Sequence, residues 1–89
     1  MPVSAYIFVE TTTGKARQVS AAVAGIAGVM RCNTITGPYD VIALVEAEDV
    51  RQLGNVVVSK IQAIPGVLRT MTNIVADLRH RSQGCVAHQ

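Results

Sequence analysis

Charge is scarce in this sequence, and little of it is clustered. Charged residues make up 16% of the 89 residues, and the formal net charge is only +2. Lys and Arg are spread along the chain, with one local cluster at Arg79-His80-Arg81. Because phosphate binding needs clustered Lys and Arg, we predict no direct contact with nucleic acid.

Cysteine and long apolar runs are also lacking. The two cysteines, Cys32 and Cys85, form no Cys-x-x-Cys pair, and two are too few for a disulfide scaffold, so we expect free thiols in a reducing compartment. No apolar run approaches the length of a membrane span. The N-terminal "MPVSAYIFVE" has neither a basic region nor a cleavage site, so it is not a signal peptide. We predict a cytoplasmic protein without a membrane partner.

The usual patterns of catalytic and metal-binding residues are missing as well. The only histidines, His80 and His88, lie in the polar C-terminal stretch, and no Ser/His/Asp set, carboxylate pair or Gly-rich phosphate loop is visible. His80, Cys85 and His88 match no standard metal spacing. We therefore predict no enzyme activity, no catalytic residue, no metal and no cofactor.

What the chain does have is a high apolar content for its length. Its length suits one small domain, which we place at residues 1–78, followed by a polar tail at 79–89 that we expect to fray. Apolar residues make up 49% of the chain. A small domain exposes much of its surface, so we expect another subunit to cover a second apolar face.

An internal repeat organises the chain. At an offset of 38 residues, "GIAGVMRCNTI" (25–35) aligns with "AIPGVLRTMTN" (63–73). The identical or similar pairs are Ile26/Ile64, Gly28/Gly66, Val29/Val67, Arg31/Arg69 and Thr34/Thr72. The first apolar segment, 3–9, aligns with 41–47 at the same offset. The chain is therefore predicted to contain two copies of one unit.

Each unit is predicted to be strand, helix, strand. Apolar positions spaced by three and four indicate amphipathic helices, the first capped by Thr13 and ended by Gly28, the second capped by Asp49 and ended by Pro65-Gly66. Runs rich in β-branched residues indicate strands at 3–10, 29–36, 40–47 and 67–78. The order βαββαβ predicts an α+β, ferredoxin-like fold: a four-stranded antiparallel sheet with both helices on one face.

The first and third strands are apolar on both of their faces. Tyr6 and Phe8 alternate with Ile7 and its neighbours, and Ile42 and Leu44 do the same in the third strand. A sheet with one solvated face should alternate apolar with polar residues. We therefore predict that the open face packs against another subunit, in a dimeric α/β-barrel-type assembly. The alternative is an apolar patch that stays exposed.

The hairpin "ITGPYD" (35–40) carries the first candidate site. Gly37 and Pro38 suit a turn. Tyr39 offers a flat apolar wall with one donor, and Asp40 offers a negative charge suited to an ammonium group. With exposed N–H groups near Gly37, these features are complementary to a free amino acid. The alternative is that Asp40 merely caps the hairpin.

The last strand carries the second group of candidates. Arg69, Thr70 and Thr72 supply guanidinium and hydroxyl donors, with the two threonines on one face and Arg69 on the other. They are equally compatible with an ordinary strand.

Two motifs carry a family resemblance. Gly37-Pro38-Tyr39-Asp40 and Ile64-Pro65-Gly66-Val67-Leu68-Arg69-Thr70-Met71-Thr72 resemble the Gly-x-Tyr-Asp hairpin and the Ile-Pro-Gly-Val-x-Arg-Thr-x-Thr segment of the Lrp/AsnC effector-binding (RAM) domain. The resemblance covers about residues 3 to 78.

The resemblance implies a partner, a site and an assembly. Family members dimerise through their sheets, form rings that are often octamers, and bind small effectors, usually amino acids, between subunits. Carried over, the ligand-binding candidates are Gly37, Tyr39, Asp40, Arg69, Thr70 and Thr72.

Full-length members of the family also carry an N-terminal helix-turn-helix. Here the first predicted strand starts at about residue 3, as in stand-alone members. We therefore expect a regulatory module of amino acid metabolism that acts through assembly, or with a full-length regulator, and not by direct DNA binding. The alternatives are a structural assembly partner without a ligand, and a small enzyme of the dimeric α/β-barrel kind such as a cofactor-free monooxygenase.

Overall fold

Strands and helices follow one another in the predicted order. The computed structural model describes residues 2–76. Its elements are β1 (Val3–Thr11), α1 (Ala16–Ala24), β2 (Val29–Thr34), β3 (Val41–Ala47), α2 (Val50–Asn55), a π-helical segment (Val56–Ile61) that continues α2, and β4 (Val67–Ile74). None of the helices within 2–76 is long and apolar enough to cross a membrane.

The four strands form one antiparallel sheet in the order β2-β3-β1-β4. In the centre, Ile7 pairs with Ala43 on one side and with Thr72 on the other. The hairpin at Gly37-Pro38 joins β2 to β3, as predicted. This is the predicted ferredoxin-like fold.

The core lies between the sheet and the helices. The side chains that fill it are all buried, and they are contributed by β1 and β3 (Ala5, Ile7, Val9, Val41, Ala43, Val45, Ala47), by α1 (Val19, Val23) and by α2 with its π-helical continuation (Leu53, Val57, Ile61). Their burial explains the helical stripes that the sequence shows, because apolar residues three and four apart share one helix face.

The second helix begins with the predicted cap. The Asp49 carboxylate accepts a hydrogen bond from the Gln52 N–H at 2.8 Å. The Gln52 side chain in turn accepts one from the Glu48 N–H. These bonds use N–H groups that have no partner inside the helix. The helix does not stay α-helical, however, because residues 56–61 adopt the wider π geometry, which the sequence did not predict.

The predicted cap of the first helix is wrong. Lys15, and not Thr13, is the N-cap, and it makes no side-chain capping hydrogen bond. The preceding connection is fixed by a tertiary contact, since the Thr12 N–H donates to the Gly66 carbonyl at 2.9 Å. The residue before Thr13 is thus engaged in a contact that the local sequence does not reveal.

Several predicted boundaries shift by a few residues. β1 extends to Thr11 and α1 ends at Ala24, with Ile26 half-buried beyond it. β2 ends at Thr34, β3 begins at Val41, and β4 ends at Ile74, short of the predicted residue 78. The predicted tail at 79–89, with the Arg79–Arg81 cluster and Cys85, lies outside the described residues.

Candidate functional site

The hairpin between β2 and β3 is closed by its own backbone. The Ile35 N–H donates to the Asp40 carbonyl at 2.8 Å. Gly37 has a φ of +128°, which residues with a side chain rarely adopt, and no atom lies within 4 Å of where a Cβ would be. The turn therefore needs a glycine for its backbone angle, and the space beside Gly37 is open.

Asp40 is fastened to the end of β1. Its Oδ2 accepts a hydrogen bond from the Thr11 N–H at 2.8 Å, and its own N–H donates to the Val9 carbonyl at 2.9 Å. Thr11 lies two residues beyond Val9, where the pairing of β1 with β3 ends. One carboxylate oxygen thus has a structural role, and within residues 2–76 no side-chain hydrogen bond occupies the other.

Tyr39 lies against the open face of the sheet. Its ring packs on the Phe8 ring, with centroids 5.7 Å apart and planes tilted by 53°. Its hydroxyl donates to the Met71 Sδ at 3.9 Å, which connects the hairpin to β4. Phe8 and Met71 are paired across β1 and β4, so Tyr39 extends the apolar surface that these strands form.

Arg69 is held by a neighbouring strand. Its Nε lies 2.7 Å from the Glu10 Oε1, and the two residues are paired across β1 and β4. The Arg69 side chain is 71% exposed, so this ion pair is well solvated. Part of the guanidinium is thereby committed to Glu10.

Thr70 and Thr72 lie on the helix side of β4. They pair with Val9 and Ile7, two fully buried core residues of β1, and Arg69 points to the opposite side as predicted. The Thr70 Oγ1 accepts a hydrogen bond from the Gln62 Nε2 at 2.9 Å. Gln62, which follows the π-helical segment, was not among the predicted site residues.

The six predicted residues therefore do not line one cavity within a single chain. Tyr39 and Arg69 are on the open side of the sheet, and the two threonines are on the helix side. Val9 separates Thr70 from Val41, the neighbour of Asp40, and two strand spacings amount to about 10 Å. The structure does bring three parts close together: the hairpin, the C-terminal end of β1, and strand β4.

Three grooves lie elsewhere on the described surface. One of about 450 Å³ runs between the end of α1 and the second helix, and is lined by Gly25, Ile26, Ala27, Gln52, Asn55, Val56, Ser59 and Lys60. A neighbouring groove of about 280 Å³ includes Glu46 and Glu48. A shallow one of about 120 Å³ on the open sheet face is lined by Tyr6, Arg31, Asn33, Ile42 and Leu44. None of these three is lined by a predicted site residue.

No group of three or more His, Cys, Asp or Glu side chains within residues 2–76 could hold a metal ion. The combination weighed from the sequence, His80, Cys85 and His88, lies outside the described residues. Cys32 is a half-buried free thiol whose Sγ contacts the Ser20 Oγ at 3.4 Å.

The open face of the sheet is apolar, and nothing within residues 2–76 covers it as a further layer. Tyr6 is 39% exposed and Met71 40% exposed, and Phe8, Ile42 and Leu44 are half-buried on the same face. Polar side chains such as Glu10, Arg69 and Asn73 border it. Fold and surface together define a class: ferredoxin-like domains that leave one apolar sheet face uncovered.

Within that class, the chain belongs to the Lrp/AsnC ligand binding domain family, whose model matches residues 4–82. This confirms the resemblance carried by the hairpin and the last strand. The family is one of transcription regulators and not of enzymes, as predicted.

Two relatives support the assignment. An uncharacterized HTH-type transcriptional regulator of Pyrococcus abyssi is 34% identical over 61 residues, covering 68% of this chain and 41% of its own length. The chain thus spans about two fifths of that curated relative. A crystal structure of a Thermus thermophilus protein superposes with a TM-score of 0.83 at 30% identity, covering 89% of this chain and 99% of the other.

A third comparison concerns the fold alone. A transcriptional regulator of Neisseria meningitidis, solved as a complex with L-Met, superposes with a TM-score of 0.77 at 22% identity. The match covers 88% of this chain and 53% of that one.

Proposed function

We propose that this chain is an effector-binding module of transcription regulation, that its effector is an amino acid bound between subunits, and that it acts on amino acid metabolism through assembly. Family membership supports the regulatory role. The L-Met bound to the Neisseria regulator, which shares the fold, supports an amino acid as the effector class.

The position of the hairpin beside the open face carries this proposal. Tyr39 packs on Phe8 and reaches Met71, so the hairpin borders the apolar surface that a second subunit would cover. A ligand held by the hairpin would therefore lie at a subunit boundary. Its binding free energy would differ between the assembled and the separate states, which is how a ligand shifts an equilibrium.

Each candidate residue has a role suited to its chemistry. The Asp40 oxygen that Thr11 does not use would accept from the ammonium group of the amino acid. The hydroxyls of Thr70 and Thr72 and the N–H groups near Gly37 would donate to the carboxylate. Tyr39 would supply an apolar wall, and Arg69 would donate through N–H groups that do not face Glu10. Because Thr70 and Thr72 lie on the helix side, away from the sheet-to-sheet boundary, they would join the site only where dimers meet in a ring, opposite the hairpin of a neighbouring subunit.

The proposed assembly is a homodimer through the open sheet face, followed by a ring of the octamer type. The module would then act by this assembly, or by co-assembly with a full-length Lrp/AsnC regulator, and not through its own contact with DNA. The small net charge of +2 supports the last point.

A second candidate is an assembly partner that binds no ligand. The observation that favours it is that Asp40 and Tyr39 already have partners within the chain: the Thr11 N–H, the Phe8 ring and the Met71 sulfur. Hairpin packing alone would account for both residues.

Thermal melting of the purified protein with each of the twenty amino acids at millimolar concentration separates the two candidates. A ligand at one hundred times its dissociation constant adds roughly 2.7 kcal/mol to the folded state. We expect one or a few amino acids to raise the melting temperature and to change the size of the assembly in light scattering. If no amino acid changes the melting temperature, the assembly partner that binds no ligand would be the better supported of the two candidates.

The charge of Asp40 can be tested apart from its structural role. Asp40→Asn keeps an oxygen that can accept from the Thr11 N–H but removes the negative charge. We expect Asp40→Asn and Asp40→Ala each to weaken binding of the best amino acid in the panel by more than about tenfold, because a hydrogen bond to a charged group is lost. Unchanged affinity in calorimetric titration of Asp40→Asn would exclude the carboxylate from ammonium binding.

A further inference from the structure

The hydrogen bond between Gln62 and Thr70 is built on a fixed backbone. Gln62 directly follows the π-helical segment, and its N–H donates to the Val57 carbonyl, five residues back, at 2.8 Å. Its neighbour Ile61 is fully buried in the core. Helical segments of the π type are short and often occur at functional sites. The backbone of Gln62 is thus held in place, and its side chain reaches β4 from this fixed position.

The direction of this bond determines what Thr70 can offer. A threonine hydroxyl has one proton and two acceptor lone pairs. The Gln62 Nε2 donates to the Thr70 Oγ1, so it occupies a lone pair and leaves the hydroxyl proton uncommitted. This is the only side-chain hydrogen bond of Thr70 within residues 2–76. The hydroxyl is therefore oriented to donate away from Gln62.

We infer that Gln62 is a positioning residue that turns the Thr70 hydroxyl into a donor for the carboxylate of the bound amino acid. The inference rests on the proposed function, because it assumes that Thr70 contacts the ligand. It goes further in two ways. It names the carboxylate as the group of the ligand that Thr70 contacts, and it assigns a role to Gln62, which acts through Thr70 without touching the ligand.

The internal repeat shows that the fold does not require this pair. At the offset of 38 residues, Gln62 aligns with Ala24 and Thr70 aligns with Cys32. Ala24 has no side-chain donor, and Cys32 contacts Ser20 instead. The flanking positions do correspond, since Val23 and Ile61 are both fully buried. One unit therefore packs its helix on the sheet without a glutamine, and the polar pair is specific to the other.

The chemistry predicts a preference for a carboxylate over a neutral amide. A hydrogen bond to an ionised acceptor is roughly twice as strong as one between neutral groups. An amino acid should therefore bind more tightly than its own α-carboxamide. Gln62→Glu should reduce that preference, because the introduced carboxylate only accepts, draws the Thr70 proton toward itself and repels the ligand carboxylate.

The test compares each of the twenty L-amino acids with its α-carboxamide, by melting shift and then by calorimetric titration. The proteins are the full chain, Gln62→Glu, Gln62→Ala and the control Gln18→Ala, an exposed residue of α1. We expect Gln62→Glu to weaken binding of the best amino acid by about tenfold or more and to reduce the acid-over-amide preference. Gln62→Ala should show a smaller change in the same direction, and Gln18→Ala none.

Thr70→Val supplies a second, independent readout. If Gln62 acts through the Thr70 hydroxyl, Gln62→Ala should have little further effect once that hydroxyl is removed, because two residues of one network are not additive. An equal loss for Gln62→Ala with and without the Thr70 hydroxyl, or equal weakening of acid and amide binding by Gln62→Glu, would overturn the positioning role. Binding by the Gln62 variants like the unmodified chain would overturn it too. If no amino acid in the panel shifts the melting temperature of the unmodified chain, the amino acid is overturned as effector, and the inference with it.

Discussion

Asp40 joins a structural and a proposed functional role in one side chain. Its Oδ2 accepts from the Thr11 N–H, a part-buried amide two residues beyond the end of the β1–β3 ladder. Leaving a buried donor unpaired costs more than a hydrogen bond contributes on average. Stability and ligand binding at Asp40 can be separated only by a substitution that keeps the acceptor.

Asp40→Ala should lower the free energy of unfolding by about 1–3 kcal/mol, because the Thr11 N–H loses its acceptor. Asp40→Asn should lower the free energy of unfolding by clearly less, because its amide oxygen can still accept the hydrogen bond from the Thr11 N–H. Urea unfolding of the two variants beside the unmodified chain checks this. Equal losses in both would mean that the negative charge, and not the hydrogen bond, stabilises the hairpin.

Arg69 should contribute little to stability despite its short contact with Glu10. The two atoms are 2.7 Å apart, but the Arg69 side chain is 71% exposed. Exposed ion pairs contribute about 0–1 kcal/mol because water and salt screen them. Arg69→Gln should therefore change the free energy of urea unfolding by less than about 1 kcal/mol. A larger loss that vanishes in high salt would contradict this assessment.

At the scale of elements, the second helix contains a residue that weakens it without an evident structural need. Gly54 lies within α2, its φ is not positive, and no atom lies within 4 Å of where its Cβ would be. Gly54→Ala should raise the free energy of unfolding by roughly 0.5–1 kcal/mol, because alanine loses less backbone entropy in a helix. Thermal and urea unfolding would show the gain.

Gly28→Ala is the matched contrast. Gly28 has a φ of +97°, and a Cβ there would lie 2.9 Å from the Glu46 carbonyl oxygen. The same substitution should therefore destabilise the protein at this position. If Gly54→Ala also destabilised it, the transition from α to π geometry just after Gly54 would require glycine flexibility.

The elements that follow from periodicity could be predicted, and those that depend on tertiary contacts could not. The β-branched runs of β1 and β3 and the spacing of Val19 and Val23 reflect burial directly. The spacing of apolar residues could not predict the π-helical segment, because Val57 and Ile61 are four residues apart, which is equally compatible with an α-helix. The wrong cap at Thr13 has a similar cause, since the Thr12–Gly66 hydrogen bond is a long-range contact.

The candidate site could be predicted only in part for the same reason. Turn chemistry points to Gly37 and its neighbours, but no local pattern reveals that Asp40 accepts from Thr11. Gln62 resembles a solvated residue at a helix end. The signal that could have identified it is the comparison of the two repeats, in which Ala24 occupies the corresponding position.

At the scale of the whole molecule, the sheet has one face covered by helices and one face that no other described part of the chain covers. The uncovered face presents Tyr6, Phe8, Leu44 and Met71, with the Tyr39 ring packed at its edge. Contiguous apolar surface of this kind marks interaction sites in proteins. Packing of two such faces is the arrangement that places the hairpin of each chain at a subunit boundary.

Tyr6→Glu should therefore convert the proposed dimer to a monomer without unfolding the chain. Tyr6 is 39% exposed in the single chain, so a carboxylate there would remain solvated in the monomer. In a sheet-to-sheet dimer the carboxylate would be taken out of water, which is strongly unfavourable even with Arg31 lining the same groove. We expect dimer affinity to fall by at least about 100-fold in sedimentation equilibrium, since about 3 kcal/mol corresponds to that factor.

Val58→Glu is the control for this experiment, because Val58 is 62% exposed on the π-helical segment, on the helix side of the molecule. It adds the same charge at an apolar position that is more exposed than Tyr6, and it should leave the dimer intact. Far-UV circular dichroism of both variants would establish that the chain is folded. If Val58→Glu dissociated the dimer and Tyr6→Glu did not, the subunits would associate through their helices. The hairpin would then lie away from the dimer boundary, and the proposal that the amino acid is held where the open faces of two subunits meet would fail.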